Sequence, residues 1–172
     1  MDEIKILLEN YTALVEKIDS HIKAVMTDFA DHIQCKKGCD NCCRHLNLFP
    51  VEALAIARAF AELPPEIQRN VLKQTNGKGC PLLIQGECVA YEARPLICRT
   101  HGMPIYMEND GKITVDFCPM NFSGITQFPK ESLLNLDQLN ITLTAVNARC
   151  VEQIETTLPE RIPMDQALEL LM

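Results

Sequence analysis

Apolar residues recur at three- and four-residue steps from the start of the chain: Ile4, Leu7, Leu8, Tyr11, Leu14, Val15, Ile18, Ile22, Val25 and Phe29. No proline or glycine interrupts them, and the spacing predicts one long amphipathic helix from Asp2 to about Ile33. A second helix is expected over 51–63, an alanine-rich run with Pro50 near its first turn and Pro64 and Pro65 closing it. A third runs from Pro65 to about Lys73 and fades into a turn at Gln74 to Gly77. The periodicity then changes. The segment between Cys80 and Cys88 is apolar and breaks at Gln85 and Gly86, which predicts a small hairpin with a cysteine near each end. Residues 89–102 read as a short helix or turn interrupted near Pro95, and Ile105 to Phe117 as a second hairpin turning at Asn109, Asp110 and Gly111. Beyond a loop from Asn121 to Lys130, Leu136, Leu139, Leu143, Val146 and Cys150 mark one face of a helix over 132–155, and Pro163 opens a last short helix at 164–172. The expected fold is mainly α with small β-hairpins, an α+β domain.

One stretch departs from every such pattern. Cys35, Cys39, Cys42 and Cys43 fall within nine residues, and their neighbours Lys36, Lys37, Asp40, Asn41 and Arg44 are polar or charged. A core segment would not carry that company, although free cysteine usually packs as a small apolar side chain. Thiolates repel one another unless a cation lies between them, so a metal site is the natural reading, with Gly38 letting the backbone turn. A disulfide cluster is the alternative.

Composition narrows the setting. The chain has 172 residues, 47% of them hydrophobic, enough for a core that needs no staples. A single domain is expected, with a metal-binding core at about 35–122 and helical flanks at 1–34 and 131–172. The acidic, amphipathic start is unlike a secretory signal, and no run is long and apolar enough for a bilayer, so a cytoplasmic protein with no membrane association is expected. In a reducing compartment nine cysteines, an odd number, suit metal ligation better than disulfides. A net charge of −7 without a basic run argues against a general nucleic-acid surface.

Cys150 lies on a helical apolar face without a companion and reads as a core thiol. Eight remain: Cys35, Cys39, Cys42, Cys43, Cys80, Cys88, Cys98 and Cys118. Eight thiolates fill two four-thiolate centres, or one bridged site, and adjacent Cys42 and Cys43 tend to point in different directions and so to serve different centres. Zinc and an iron–sulfur cluster both accept all-thiolate ligation. Cys80 and Cys118 each precede proline and histidine is scarce, which leans toward iron and leaves zinc open. Lys36, Lys37, Lys78, Arg44, Arg94 and Arg99 lie near the cysteines in an acidic chain, where they either stabilise thiolates or simply cover surface. Arg94, Arg99 and His101 are the candidate cofactor contacts, with His101 ranked above His45. The Cys35, Cys39, Cys42 spacing also matches the radical S-adenosylmethionine signature, but those enzymes are built on a large barrel, and a fourth thiol here adjoins the three.

Taken in order, the knuckle ending in Cys42 and Cys43, then Cys80 with Pro81, Cys88, Tyr91, Glu92, Arg94, Pro95, Cys98, Arg99 and Cys118 resemble the YkgJ-like cysteine-cluster family, also called the CxxCxxCC family. The resemblance covers about residues 35–122. Three residues separate Cys35 from Cys39, where the family's name has two. The resemblance implies cysteine-bound metal, zinc or iron. The expectation is a helical domain built around a cysteine-ligated metal centre, with a redox or electron-transfer role and a protein or redox partner. A structural zinc module for protein interaction, or metal storage and delivery, are the alternatives. No catalytic residue is identifiable from the sequence.

Overall fold

The computed structural model describes residues 3–36, 38–74 and 79–171. Lys37, Lys78 and most of the turn expected at Gln74 to Gly77 lie outside the described residues.

Chain order runs α1 (Glu3–Leu7), α2 (Glu9–Asp28), β1 (Asn47–Leu48), α3 (Pro50–Ala61), α4 (Pro65–Gln74), β2 (Leu83–Ile84), β3 (Glu87–Cys88), α5 (Leu96–Thr100), β4 (Ile105–Asn109), β5 (Lys112–Asp116), β6 (Leu134–Asn135), α6 (Leu136–Val151), β7 (Ile162–Pro163) and α7 (Met164–Ala167). Three single 3-10 turns stand at Ala30–His32, Tyr91–Ala93 and Lys130–Ser132. Helices predominate and the strands form small sheets, so the architecture is α+β.

The first helix departs from the single run its periodicity predicts. It is interrupted at Leu8, whose ψ opens to 0° while its side chain is buried, and α2 ends at Asp28 rather than at Ile33. Phe29 leaves helical geometry (φ −116°, ψ 30°), and its ring lies 5.5 Å from that of Phe122 and 5.8 Å from that of Phe128. Aromatic packing from distant residues thus ends the helix, and after the 3-10 turn at Ala30–His32 the chain becomes extended at Ile33 on its way to Cys35.

The C-terminal helix begins later than its apolar stripe suggests. Leu134 and Asn135 pair in parallel with Ile105 and Tyr106 of β4, giving a sheet in the order β5, β4, β6. The Asn135 side chain then accepts a hydrogen bond from the Gln138 amide at 2.9 Å and donates to the Tyr106 hydroxyl at 2.7 Å. An asparagine N-cap and a strand pairing together fix the start of α6. Asn47 and Leu48 pair with Pro163 and Ile162, a junction of two-residue strands that no local pattern announces.

Both hairpins form where expected. Gln85 and Gly86 (φ 51° and 80°) turn the first, and Asp110 and Gly111 (φ 51° and 74°) the second, each with two successive positive φ angles that match the right-handed twist of the flanking strands.

The helix α3 is the hub of the packing. Its Val51 and Leu54 belong to a cluster with Tyr11, Leu14, Leu96 and Phe122, whereas Ala53, Ile56 and Phe60 belong to a second cluster with Leu82, Ile162, Met164 and Leu168. An alanine-rich helix suits that place, because small side chains let neighbours approach from both sides. Cys150 is buried in the first cluster, and Cys80 and Cys88 pack against the second. Among the described residues no helix is long and apolar enough to cross a membrane.

Phe60 is fully buried at the centre of the second cluster. Phe60→Ala is expected to destabilise the fold by about 3–5 kcal/mol, the cost of lost burial plus a cavity, read from urea unfolding midpoints.

Candidate metal centre

The eight cysteines are reduced thiols set on very different supports. Cys35, Cys39, Cys42 and Cys43 lie on the irregular knuckle between α2 and β1. Two tight turns shape it, with the Cys39 amide donating to the Lys36 carbonyl at 3.0 Å and the Cys43 amide to the Asp40 carbonyl at 2.9 Å. Gly38 carries the positive φ of 91° that the first turn requires. Cys80 precedes β2, Cys88 lies in β3, Cys98 in α5, and Cys118 follows β5.

Electrostatic neighbours divide these thiols into two groups. Cys35 interacts with Cys118, Cys39 and Cys42, and Cys42 in turn with Cys43, Cys39 and Cys118. Cys98 interacts with Cys80, Cys88 and Cys43, and Cys80 with Cys88 and Cys43. One group is therefore Cys35, Cys39, Cys42 and Cys118; the other is Cys43, Cys80, Cys88 and Cys98. The two groups meet at the peptide bond between Cys42 and Cys43, whose thiols hydrogen-bond each other, and Cys39 lies near both groups. Among the described residues no three of these side chains already stand in a ligating arrangement, so the grouping is one of close neighbours rather than of bonded ligands.

The first group is the outer one: Cys39 and Cys42 are exposed. Its organiser is Asn121, which is only 1% exposed. The Asn121 side-chain oxygen accepts from the amides of Gln34 (2.9 Å) and Cys35 (3.1 Å), its NH2 group donates to the Gly102 carbonyl (2.9 Å), and it also hydrogen-bonds the Cys35 sulfur. One side chain thus ties the knuckle to the end of α5, while its own amide donates to the Cys118 carbonyl. Gly102 (φ 90°) closes the cradle. A Cβ there would stand 3.2 Å from the Cys35 sulfur, 3.2 Å from the Cys118 Cβ and 3.1 Å from Asn121 Nδ2, so only glycine allows this approach.

The second group is the inner one. It borders a cavity of about 240 Å³, also lined by Cys39 and Cys42 of the first group and by Arg44, Tyr91, Arg94, His101 and Met164. The amides of Leu82 and Leu83 hydrogen-bond the Cys80 sulfur, and that of Ala90 the Cys88 sulfur, the donors that a hairpin with a cysteine at each end presents. Arg94 is the nearby cation. Its Nε donates to the Tyr91 carbonyl at 2.8 Å, its guanidinium lies over the Tyr91 ring at 3.5 Å, and its charge favours the thiolates of Cys88 and Cys98. Burial nevertheless dominates, pushing the Cys80 thiol up to about 11 and the Cys98 thiol up to about 12. Burial also raises Cys35, Cys42, Cys43 and Cys88.

Cys98 is held through α5. The buried Glu52 carboxylate accepts from the Phe49 amide at the start of α3 (3.3 Å) and from the Leu96 amide at the start of α5 (3.0 Å), joining two helix N-termini. On the other side Arg99, 7% exposed, donates to the Arg94 carbonyl (2.7 Å), to the Glu92 carbonyl and to Asp19 of α2 (2.7 Å). Arg94 and His101 thus face the cysteine cavity, whereas the Arg99 guanidinium turns away and anchors the helix that carries Cys98. His45 hydrogen-bonds Asp165 at 3.0 Å. His101 also borders a second cavity of about 410 Å³, which shares Leu46 and Ile97 with the first. Asn121, Glu52 and Asp19 carry no sequence signal of these roles; each acts across 44 to 87 residues of chain.

The residues suit a metal. Eight soft donors gathered in two groups of four, with amide and cationic support, form a donor set suited to zinc or an iron–sulfur cluster. This is a cysteine-rich chelating protein of α+β architecture. The model of the CxxCxxCC family, described as a "Putative zinc- or iron-chelating domain", matches residues 34–119, and the chain belongs to that family. No curated protein and no solved structure matches the chain.

Two outcomes follow from this geometry. The folded Cys98 thiol lies at about 12 against an ordinary 9.0, so the metal-free, reduced domain binds its proton more tightly than the unfolded chain does. That contribution to stability is full below 9.0 and declines as pH rises toward about 12, which urea unfolding of chelator-treated protein at a series of pH values measures. Gly102→Ala is expected to force Cys35 and Cys118 apart and to lower bound metal, read by elemental analysis, with the helical circular dichroism retained.

Proposed function

We propose that this protein holds two four-thiolate metal centres and works in electron transfer with a protein partner, the inner centre taking an iron–sulfur cluster. The observation that carries the reading is the division of the eight cysteines into two groups of four at the bond between Cys42 and Cys43. Adjacent residues that serve different groups place the two centres side by side, a short path for electrons.

Three features support iron–sulfur for the inner group. The four thiols, together with Cys39 and Cys42, border a cavity of about 240 Å³, roomier than a lone ion requires, whereas a tetrahedral zinc draws four sulfurs to about 2.3 Å from one point. Amide donors on Cys80 and Cys88 and the charge of Arg94 are the means by which a protein offsets cluster charge and sets a potential. Cys80 of this group precedes proline. A bound cluster supplies one-electron transfer; the chain's part is to keep the sulfurs gathered, hydrogen-bonded and largely out of water.

A second reading, a zinc module that orders the fold for a partner, draws on the hairpin between Cys80 and Cys88, whose amide donors serve a single tetrahedral ion equally well.

Anaerobic isolation followed by metal and sulfide analysis and a visible spectrum separates the two. Iron with acid-labile sulfide and a visible absorption that bleaches on reduction is the expected result. A colourless protein with two equivalents of zinc would replace it with the zinc module, and a protein with no bound metal would overturn both.

A further inference from the structure

The two groups differ in the exposure of their thiols and in what supports them. Both exposed thiols, Cys39 and Cys42, are in the outer group, whereas the four thiols of the inner group are all at least partly buried. Support differs in the same direction. Outer ligands come from the irregular knuckle and from the coil after β5, and the charges that reach Cys35 and Cys42 are those of other thiols. Their principal clasp is Asn121. Three inner ligands are mounted on β3, on α5 and at the entry to β2, with Cys43 on the knuckle, and Cys80 and Cys88 receive amide hydrogen bonds from Leu82, Leu83 and Ala90. Arg94 adds a positive charge held rigidly by its stacking on Tyr91.

These contrasts bear on rate as well as affinity. Four thiolates around a divalent ion leave a net negative charge, which amide dipoles and a guanidinium offset at the inner group. Exchange of a thiolate-bound ion proceeds by entry of an incoming ligand, and an exposed face with two accessible sulfurs admits one more readily than a partly buried group with three of its four thiols on or beside regular elements. We propose that the outer group, Cys35, Cys39, Cys42 and Cys118, is a metal-exchange site that passes its ion to a thiol-bearing acceptor, while the inner group retains its metal. The inference rests on the two-centre reading above. No electrons move in the exchange: four acceptor thiolates replace four donor thiolates on the ion, and the protons released by the acceptor thiols balance those taken up by the vacated cysteines.

The test is metal release from fully loaded, anaerobically isolated protein into excess pyridylazoresorcinol, a chromophoric chelator. Two phases are expected, separated by about tenfold or more in rate, the order by which supporting contacts change metal binding. Cys42→Ser is expected to remove the fast phase and leave the slow rate unchanged, with Cys118→Ser as the second variant should the first fail to fold. Arg94→Gln is expected to speed the slow phase about tenfold without touching the fast one. Release in a single phase from protein that carries both centres would overturn the exchange site while leaving the two-centre reading intact. Loss of the slow phase in Cys42→Ser would overturn it too. Loaded protein with metal for only one group would sink the two-centre reading, and this inference with it.

Discussion

Two like unit charges 4 Å apart repel by about 4 kcal/mol at the effective dielectric near a protein surface. Eight thiols drawn into two neighbouring groups therefore cannot all ionise without a cation among them. The fold favours the protonated form of Cys35, Cys42, Cys43, Cys80, Cys88 and Cys98 when no metal is bound: burial is the first cause of each shift, and repulsion from neighbouring thiols adds to most of them. A metal ion reverses the balance, since its charge replaces the protons and turns repulsion into shared attraction. Folding and metal binding are in this way linked through the same sulfurs.

Gathering the thiols calls for a scaffold that is rigid where they are buried. The helix α3 supplies it, buried on two sides and carrying Glu52, whose carboxylate joins the first turn of α3 to the first turn of α5. Burying a carboxylate raises the affinity of Glu52 for its proton, and the two amide donors offset part of that cost. Arg99 completes the arrangement from the opposite side through Asp19. A five-residue helix is too short to be stable alone, so α5 and the thiol it carries depend on these clamps. At the outer group a buried asparagine, Asn121, does the corresponding work, joining the knuckle to Gly102.

Much of the site was legible in the sequence, because packing alone does not place so many thiols in a polar knuckle. The cluster of cysteines and the separation of Cys150 as a core thiol follow from residue type and spacing. Hairpins were legible too, since Gln85 with Gly86 and Asp110 with Gly111 fix local turn geometry whatever lies around them. Helix ends were less so. Phe29 leaves its helix to meet Phe122 and Phe128, and Leu134 and Asn135 leave theirs to pair with β4, in each case because a distant partner outweighs local preference. Arg99 illustrates the same limit at the site. Its place beside Cys98 suggested a contact with the cofactor, yet its guanidinium is engaged with Asp19 and two carbonyls on the far side of α5.

Residue chemistry by itself therefore determined which candidate donors the chain offers and the kind of ion they suit, since sulfur's softness and charge belong to the side chain wherever it is placed. Which cysteines stand together, which of them meet water, and that Asn121, Glu52, Asp19 and Gly102 hold them there, were decided only by the tertiary structure. Such contacts join positions far apart in the chain, and their energies exist only once the intervening segments have packed.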